Sequence, residues 1–600
     1  MTKYCQDLFR VTIGLIVFLL GAFQATAQQA PYFTWVKGLQ GYNTHPILGS
    51  YSQGNAIRTD KAGNVFVAGK FLRTVDFDPG KDVDSQSGNT YFGGFFAKYD
   101  SMGIHQWAKT MPGSEVTSLQ VDDSGYIYVG GAYYDTVDFD PGPLKKTLVN
   151  HGGTDFFVAK YSSTGELKWV RGSGGSNSDA VHGLVIDNQG GVYVAGRIHG
   201  TAVDFNERSP GSVVYQTNVV DGFVAKYDRD GNYVWSKHIN GNDGDVAYGI
   251  ASDATGNLYV CGYSNGAKFD GTPASFAPGR FPGASTHDAF IAKYTSAGAF
   301  IWAKTVGSER EDMAYSIAVD KSGNILLAGY FSDVLVFDSS IANARIVNKS
   351  YAGDIFVAKF SNTGSYLWGK GYGGNMGYNK AFTITTDDSS NVYFGGHFSD
   401  TVNFNPGGTM ASRHISHLYP FDPIRGVDMF MVKLKADGSY AWSKSYGNLQ
   451  WDEINCIYLD KKYNVYFSGA ISKTTDFEQG PGGQVVVNSN STVYDFPVAV
   501  FSKYAQVKPV TAVPSVSTGQ LSLRGYPNPA NDEVTINGFK TGSRIVPVVT
   551  DVAGKHFVMP YTLTASYLTL QTSALAPGIY FVRCTDESGK AGVVKFLKRD

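Results

Sequence analysis

The residues best suited to chemistry are carboxylates at recurring positions. Val75–Gly80 reads Val-Asp-Phe-Asp-Pro-Gly, Val137–Gly142 repeats it, and Val402–Gly407 reads Val-Asn-Phe-Asn-Pro-Gly. Alternating side-chain oxygens in a Gly-containing turn suit a hard cation. Asp76, Asp78, Asp138 and Asp140 are therefore candidate calcium ligands, and no other cofactor is expected. The spacing is not that of an EF-hand, and no bidentate Glu follows at a fixed distance. The plainer reading is a short edge strand ending in a Pro-Gly turn. A second set is Asp179, Asp245, Asp312 and Asp452. Converging, they could hold a cation or serve as acid and base. The preferred reading is that each caps its own loop.

Other catalytic patterns are missing: no G-x-S-x-G elbow, no H-E-x-x-H, no P-loop and no dinucleotide fingerprint. His151, His182, His414 and His417 are scattered. His414 and His417 share the divergent stretch Gly408–Val427 with Arg413 and Arg425, the first candidate for a partner contact. A net charge of -2 without a Lys or Arg block argues against nucleic acid.

The elements that must position these groups come from a repeat. Asp221–Lys237 reads as two strands around a tight Asp-Gly turn. It recurs in stretches ending at Trp107, Trp169, Trp302, Trp368 and Trp442. Two further strand signals precede each copy, so a unit has four strands, A to D. Strand A ends at Asp60, Asp122, Asp187, Asp253, Asp320, Asp387 or Asp460, giving seven units. These aspartates are expected to accept backbone N–H bonds in the A–B turn. Lys160, Lys226 and Lys359 are expected along the sheet with their ammonium groups in water. The tryptophans are expected to pack between outer strands.

Four-stranded sheets of this kind cover one another when set around an axis, as a β-propeller; a solenoid usually has shorter coils. The seventh unit has no tryptophan strand of its own. The chain starts with an orphan one, Phe33–Lys37, which is expected to complete it. The fold class is thus all-β: a seven-bladed β-propeller and then a small β-sandwich. Long B–C loops elaborate one face, the expected contact face.

D-x-x-G-N-x-Y-x-x-G followed by D-x-F-[VI]-A-K-Y-x-x-x-G resembles the SBBP-type β-propeller repeat of secreted bacterial proteins, over Tyr32–Tyr504. The resemblance implies a fold and no activity. Residues 505–520 read as an extended linker and 521–600 as the sandwich, with strands at Glu533–Asn537, Ile545–Asp551, Tyr567–Gln571, Gly578–Cys584 and Gly592–Leu597. This domain resembles the C-terminal sorting domain of the type IX secretion system, on Tyr526-Pro527-Asn528-Pro529-Ala530, Val549–Lys555, Leu575–Val582 with Gly578 and Tyr580, and Val594–Lys598. The resemblance implies export across a Gram-negative outer membrane, with the export machinery as partner, then removal of the domain.

Residues 1–27 read as a signal peptide: basic Lys3 and Arg10, apolar Val11–Phe23, and Ala25-Thr26-Ala27 with cleavage after Ala27. The propeller then spans 28–504, and no transmembrane helix is expected in the mature chain. Cys261, Cys456 and Cys584 read as small buried residues. The function expected is non-enzymatic binding, adhesion or scaffolding at the cell surface, with a glycan or protein as ligand. The alternative is a carbohydrate-active or other hydrolytic propeller using channel-mouth carboxylates.

Overall fold

A computed structural model of the chain describes residues 30–598 apart from 42–49, 80–81, 89–91, 141, 143, 207–212, 242, 270–271, 274–286, 350–351, 375–376, 407–412, 417–425, 449, 478–484, 489–496, 506–522, 527–531, 538–544, 552–555, 558, 565–566 and 587–590. The chain divides into two compact units, Met1–Gln506 and Val507–Asp600. Among the described residues all regular structure is strand, and no helix is long and apolar enough to cross a membrane.

Among its described residues the first unit holds seven antiparallel sheets with the same four-strand core, in the order inner, second, third, outer. Around Asp320 these strands are Asp312–Val319, Ile325–Phe331, Asp354–Phe360 and Tyr366–Tyr372. Ile325–Phe331 (ILLAGYF) and Asp354–Phe360 (DIFVAKF) are buried along their whole length, because neighbouring sheets cover both faces. The outer strand is mostly half-buried and exposes Leu367. Inner strands pack in succession from Tyr51–Thr59 to Glu453–Leu459, and the last packs against the first. The sheet of Glu453–Leu459 takes its outer strand from the opposite end of the unit: Tyr32–Leu39 runs antiparallel to Val498–Ala505.

The tryptophans link neighbouring sheets. Trp169 donates Nε1–H to the Arg229 carbonyl at 3.1 Å, in the next sheet's outer turn, and Trp368 does the same to Ala436 at 3.3 Å. Lys160 and Lys359 donate to those same two carbonyls, at 3.2 and 3.3 Å. The expectation that these ammonium groups lie in water is wrong for Lys160 and Lys359. Both are buried, and Lys359 lies 2.8 Å from Asp320, whose side chain is fully buried. Lys226, half-buried, lies 3.7 Å from Asp187, with its ammonium over the Tyr193 ring. A buried ammonium must be paired, and Asp60, Asp187, Asp320 and Asp387 lie within 4.0 Å of Lys98, Lys226, Lys359 and Lys433 of their own sheets.

The second unit is two four-stranded sheets around one core. Val534, Ile536, Leu568 and Leu570 come from one sheet and Val549, Tyr580, Val582 and Phe596 from the other. Tyr580 stacks on Phe596 at 5.6 Å and donates to the Ala576 carbonyl at 2.8 Å, while Gly578 opens its strand. Pro527, Asn528 and Pro529 lie outside the described residues, as does Ala27.

Candidate functional site

Each inner strand ends on an Asp that does local work. Asp60, Asp122, Asp187, Asp253, Asp320, Asp387 and Asp460 each accept, through Oδ1, the N–H of the residue four later at 2.7–3.0 Å. These are Asx-type turns, repeated because the turn is repeated.

Asp179, Asp245, Asp312 and Asp452 are fully buried. Each joins the start of its inner strand to loops of its own sheet. Asp179 accepts from the Gly175 and His199 amides at 2.7 Å each, and Asp452 from Asn448 and Ser472 at 2.8 and 3.0 Å. Asp245 accepts from the Asn265 amide at 3.0 Å and Asp312 from Ser308 at 2.5 Å. Burial pushes Asp179 up to about 7, Asp245 up to about 8, and Asp312 and Asp452 well above the usual carboxylate range. A buried third-strand carboxylate adds to each rise: Asp155, Asp221, Asp288 or Asp428. Ser52, Ser114 and Asn379 hold the same position in the other sheets, so a small polar cap is what the site requires.

The Asp-Phe-Asp turns are small hairpins. Asp76 Oδ1 accepts the Asp78 and Asp84 amides at 3.0 Å each, and Asp138 Oδ1 accepts those of Asp140 and Lys146 at 3.1 and 2.9 Å. Asp140 Oδ1 caps the Gly142 amide at 2.9 Å. The intervening Phe77 and Phe139 plug the sheet below, and their carbonyls accept the buried Tyr99 and Tyr161 hydroxyls. Among the described residues no three His, Cys, Asp or Glu side chains converge as metal ligands would.

A different set of side chains comes together. All seven inner strands carry a register shift near their middle, such as that between Gly54 and Ala56 or between Ala247 and Gly249. The residue left unpaired is Asn55, Thr117, His182, Tyr248, Tyr315, Phe382 or Asn455. A bulge re-aims its extra side chain, and all seven line one cavity of about 430 Å³. Its wall is two-sided. His182, Tyr248, Tyr315 and Phe382 form a continuous aromatic arc, with neighbouring centroids 5.0, 5.2 and 5.3 Å apart. Asn455, Asn55 and Thr117 form the other side and donate to carbonyls of adjacent inner strands at 3.3, 2.8 and 2.6 Å. Burial, with Arg197 nearby, lowers His182 to about 3, so the imidazole is neutral. Cys456, expected to be buried, is half-buried in this wall, where Arg58 Nη1 donates to its Sγ at 3.3 Å; Cys261 and Cys584 are buried.

Two residues before each bulged position, the side chain lies on the opposite side of the strand from the buried cap that precedes it. These residues are Gln53, Glu115, Ala180, Val246, Met313, Lys380 and Glu453, and second-strand partners such as Lys70, Arg197, Tyr330 and His397 stand beside them. Glu115 pairs with Lys70 at 2.9 Å and accepts from the Tyr134 hydroxyl at 3.1 Å. Glu453 accepts from Gln53 Nε2 at 2.7 Å and from Trp451 Nε1 at 2.9 Å. Burial alone would raise Glu453, but His397, Trp451 and Asn455 outweigh it and hold it ionised. The Lys380 ammonium lies 5.0 Å from the Tyr330 ring and 5.9 Å from those of Tyr315 and Tyr378.

The residues chosen from sequence thus cap turns, while from the one-residue-later set and its partners Lys380, Tyr330 and His397 reach the aromatic arc, against Tyr315 at 5.9 and 6.2 Å and Phe382 at 5.0 Å. His414 is also a pin: its ring nitrogens each lie 2.7 Å from Ser445 and Ser443 hydroxyls, and burial lowers it to about 4. His417 and Arg425 lie outside the described residues. His151 sits 2.8 Å from Asp155, beside a separate cavity of about 420 Å³.

Comparison with known proteins bears on both units. The chain is 22% identical over 532 residues to "Regulatory protein FlaEY" of Caulobacter vibrioides, covering 81% of this chain and 51% of that one. It is 23% identical over 321 residues to an uncharacterised WD repeat-containing protein, L264, of Acanthamoeba polyphaga mimivirus, covering 47% and 23%. The chain therefore spans about half or less of the length of these relatives. Among solved structures, the Dos1 propeller matches at 9% identity with a TM-score of 0.34, covering 78% of this chain and 95% of that one. The Pan2 WD40 domain of Neurospora crassa matches at 8% with a TM-score of 0.28, covering 64% and 88%. Residues 234–270 match the family model described as a beta-propeller repeat, and residues 524–598 that of the secretion system C-terminal sorting domain. The chain carries an SBBP-type β-propeller repeat and a type IX sorting domain.

Proposed function

We propose that this chain is a secreted, cell-surface binding or scaffold module rather than an enzyme, and that its seven sheets form one propeller closed by the Tyr32–Leu39 strand. One observation carries the binding role: the fixed polar and aromatic groups gathered around a cavity shared by all seven inner strands. The inner-strand carboxylates proposed as acids and bases are spent on amides of their own loops, which suits architecture better than turnover. The sorting domain suggests delivery to the surface of a Bacteroidetes-type bacterium through the type IX machinery, its one implied partner. Removal of residues 1–27 after Ala27 belongs to the same route. The test is a glycan and protein-ligand array probed with the mature chain, beside surface labelling of cells that lack residues 524–598. Binding, together with loss of surface signal, supports the reading. An inert chain contradicts it.

A second reading is kept because Glu115 and Glu453 hold the same position before the bulges of their inner strands. Paired carboxylates there are the feature a glycoside hydrolase would use. Release of reducing ends from bound glycans, abolished in Glu453→Gln, would favour it.

A further inference from the structure

We propose that a neutral hexopyranose ring stacks on Trp451 and is hydrogen-bonded by Glu453 and Gln53 beside it; this rests on the binding role above. Trp451 is 40% exposed, yet it is not free to turn. Its Nε1 is tied to Glu453 at 2.9 Å, and its ring meets His397 edge-on at 4.9 Å. An exposed indole held in one orientation is a stacking platform whose ordering cost is already met. Beside it, Gln53 is fixed at both ends, accepting from the Tyr51 hydroxyl at 2.6 Å and donating to Glu453 at 2.7 Å. A pyranose has one apolar face for the indole and equatorial hydroxyls for a carboxylate and an amide.

Charge decides against the other ligand classes. Glu115 is matched by Lys70 at 2.9 Å. Glu453 and Glu311 act on Lys380, whose ammonium already fills the aromatic faces of Tyr330 and Tyr378. A cationic ligand would find its cage taken by the chain's own lysine. An anionic one set on Trp451 would meet the Glu453 carboxylate that holds the indole. A wholly apolar ligand would shut water away from the lone pairs that Glu453 and Gln53 keep beyond their bonds to each other, Trp451 and Tyr51. A hydroxyl-rich neutral ring avoids these conflicts. The cavity of about 430 Å³, lined by Asn55 and Asn455 two residues farther along the strands of Gln53 and Glu453, offers room for further residues of a glycan chain.

The test titrates the mature full-length chain with neutral gluco-, galacto- and manno-oligosaccharides, by calorimetry and tryptophan emission. Their uronic-acid counterparts and an oligolysine peptide serve as charged comparators. At least one neutral series is expected to bind and to shift the emission. Trp451→Ala should weaken it by at least about tenfold, Trp451→Phe by less, and Leu144→Ala at a distant exposed site not at all. Unchanged melting of Trp451→Ala establishes that it folds. Neutral-sugar binding indifferent to Trp451→Ala overturns the proposal, as does a preference for either charged comparator. Array binding of proteins but of no neutral sugar overturns it while the binding role stands; no binding at all removes both.

Discussion

Trp35 stands directly across the sheet from Lys503, in the register that pairs Trp107 with Lys98, Trp169 with Lys160 and Trp368 with Lys359. The two ends of the first unit therefore meet as strands of a single hairpin do elsewhere in it. Trp35 and Lys503 both donate to the Ser101 carbonyl at 3.3 Å, as Trp368 and Lys359 share Ala436. Trp35→Ala removes an edge-on contact with Phe501 at 5.9 Å as well as this bond. A loss of about 2 kcal/mol in unfolding free energy is expected by denaturant titration.

Buried lysines should be far less tolerant than exposed ones. Lys359→Met leaves Asp320 buried without its cation and should cost about 3 kcal/mol. Lys61, in an exposed pair with Asp123 at 3.2 Å, should be replaceable by Ala with no measurable change. Equal effects would mean that Lys359 is not desolvated.

The tight turns between strands are built around glycine. Gly231 has φ +82°, and a methyl group there would lie 2.6 Å from the Trp169 ring. Gly63 has φ +86° but meets only Ser101, at 3.6 Å. Gly63→Ala should cost about 1 kcal/mol for the left-handed backbone alone. Gly231→Ala should cost at least about 2 kcal/mol, as thermal melts would show.

The buried caps set a pH dependence. Asp179 and Asp245 are raised to about 7 and about 8 by burial. A carboxyl raised on folding contributes stability that is fully present below its unfolded pKa, about 4, and is lost as pH rises through the folded value. Melting temperature should therefore fall between about pH 5 and pH 8. Replacing both residues with Ser, which holds this position at Ser52 and Ser114, should flatten that fall.

Calcium removal should do little. The Asp76 and Asp138 Oδ1 atoms are already engaged by amides at 2.9–3.1 Å. EDTA should leave the melting temperature unchanged; a drop of several degrees would restore these turns as metal sites.

The architecture was readable because it is periodic: the alternation of Phe223–Tyr227, the terminal Asp of strand A and the spaced tryptophans all recur. The site was not readable, for two physical reasons. A bulge leaves no mark in residue type, so nothing distinguishes Tyr248 or Phe382 as the unpaired residue that enters the cavity. Facing also changes with every residue along a strand. Asp452 attracts notice because a carboxylate recurs there, yet Glu453 beside it is the one that holds the exposed Trp451. Lys359 misled for a related reason, since its acidic partner comes from an inner strand far away in sequence. The proposal that the Trp35 strand closes the last unit rests on the same kind of signal, a missing outer strand at one end and a spare one at the other.

The proposed propeller requires closure by that first strand, and hydrogen exchange across residues 498–505 tests it most directly. In the mature chain these amides should exchange slowly, protected on one side by Tyr32–Leu39 and on the other by Val465–Ile471. Removing residues 28–41 should expose one edge and speed their exchange by at least about a hundredfold, with loss of ligand binding. Equal protection with and without those residues would contradict the closed ring and, with it, the site.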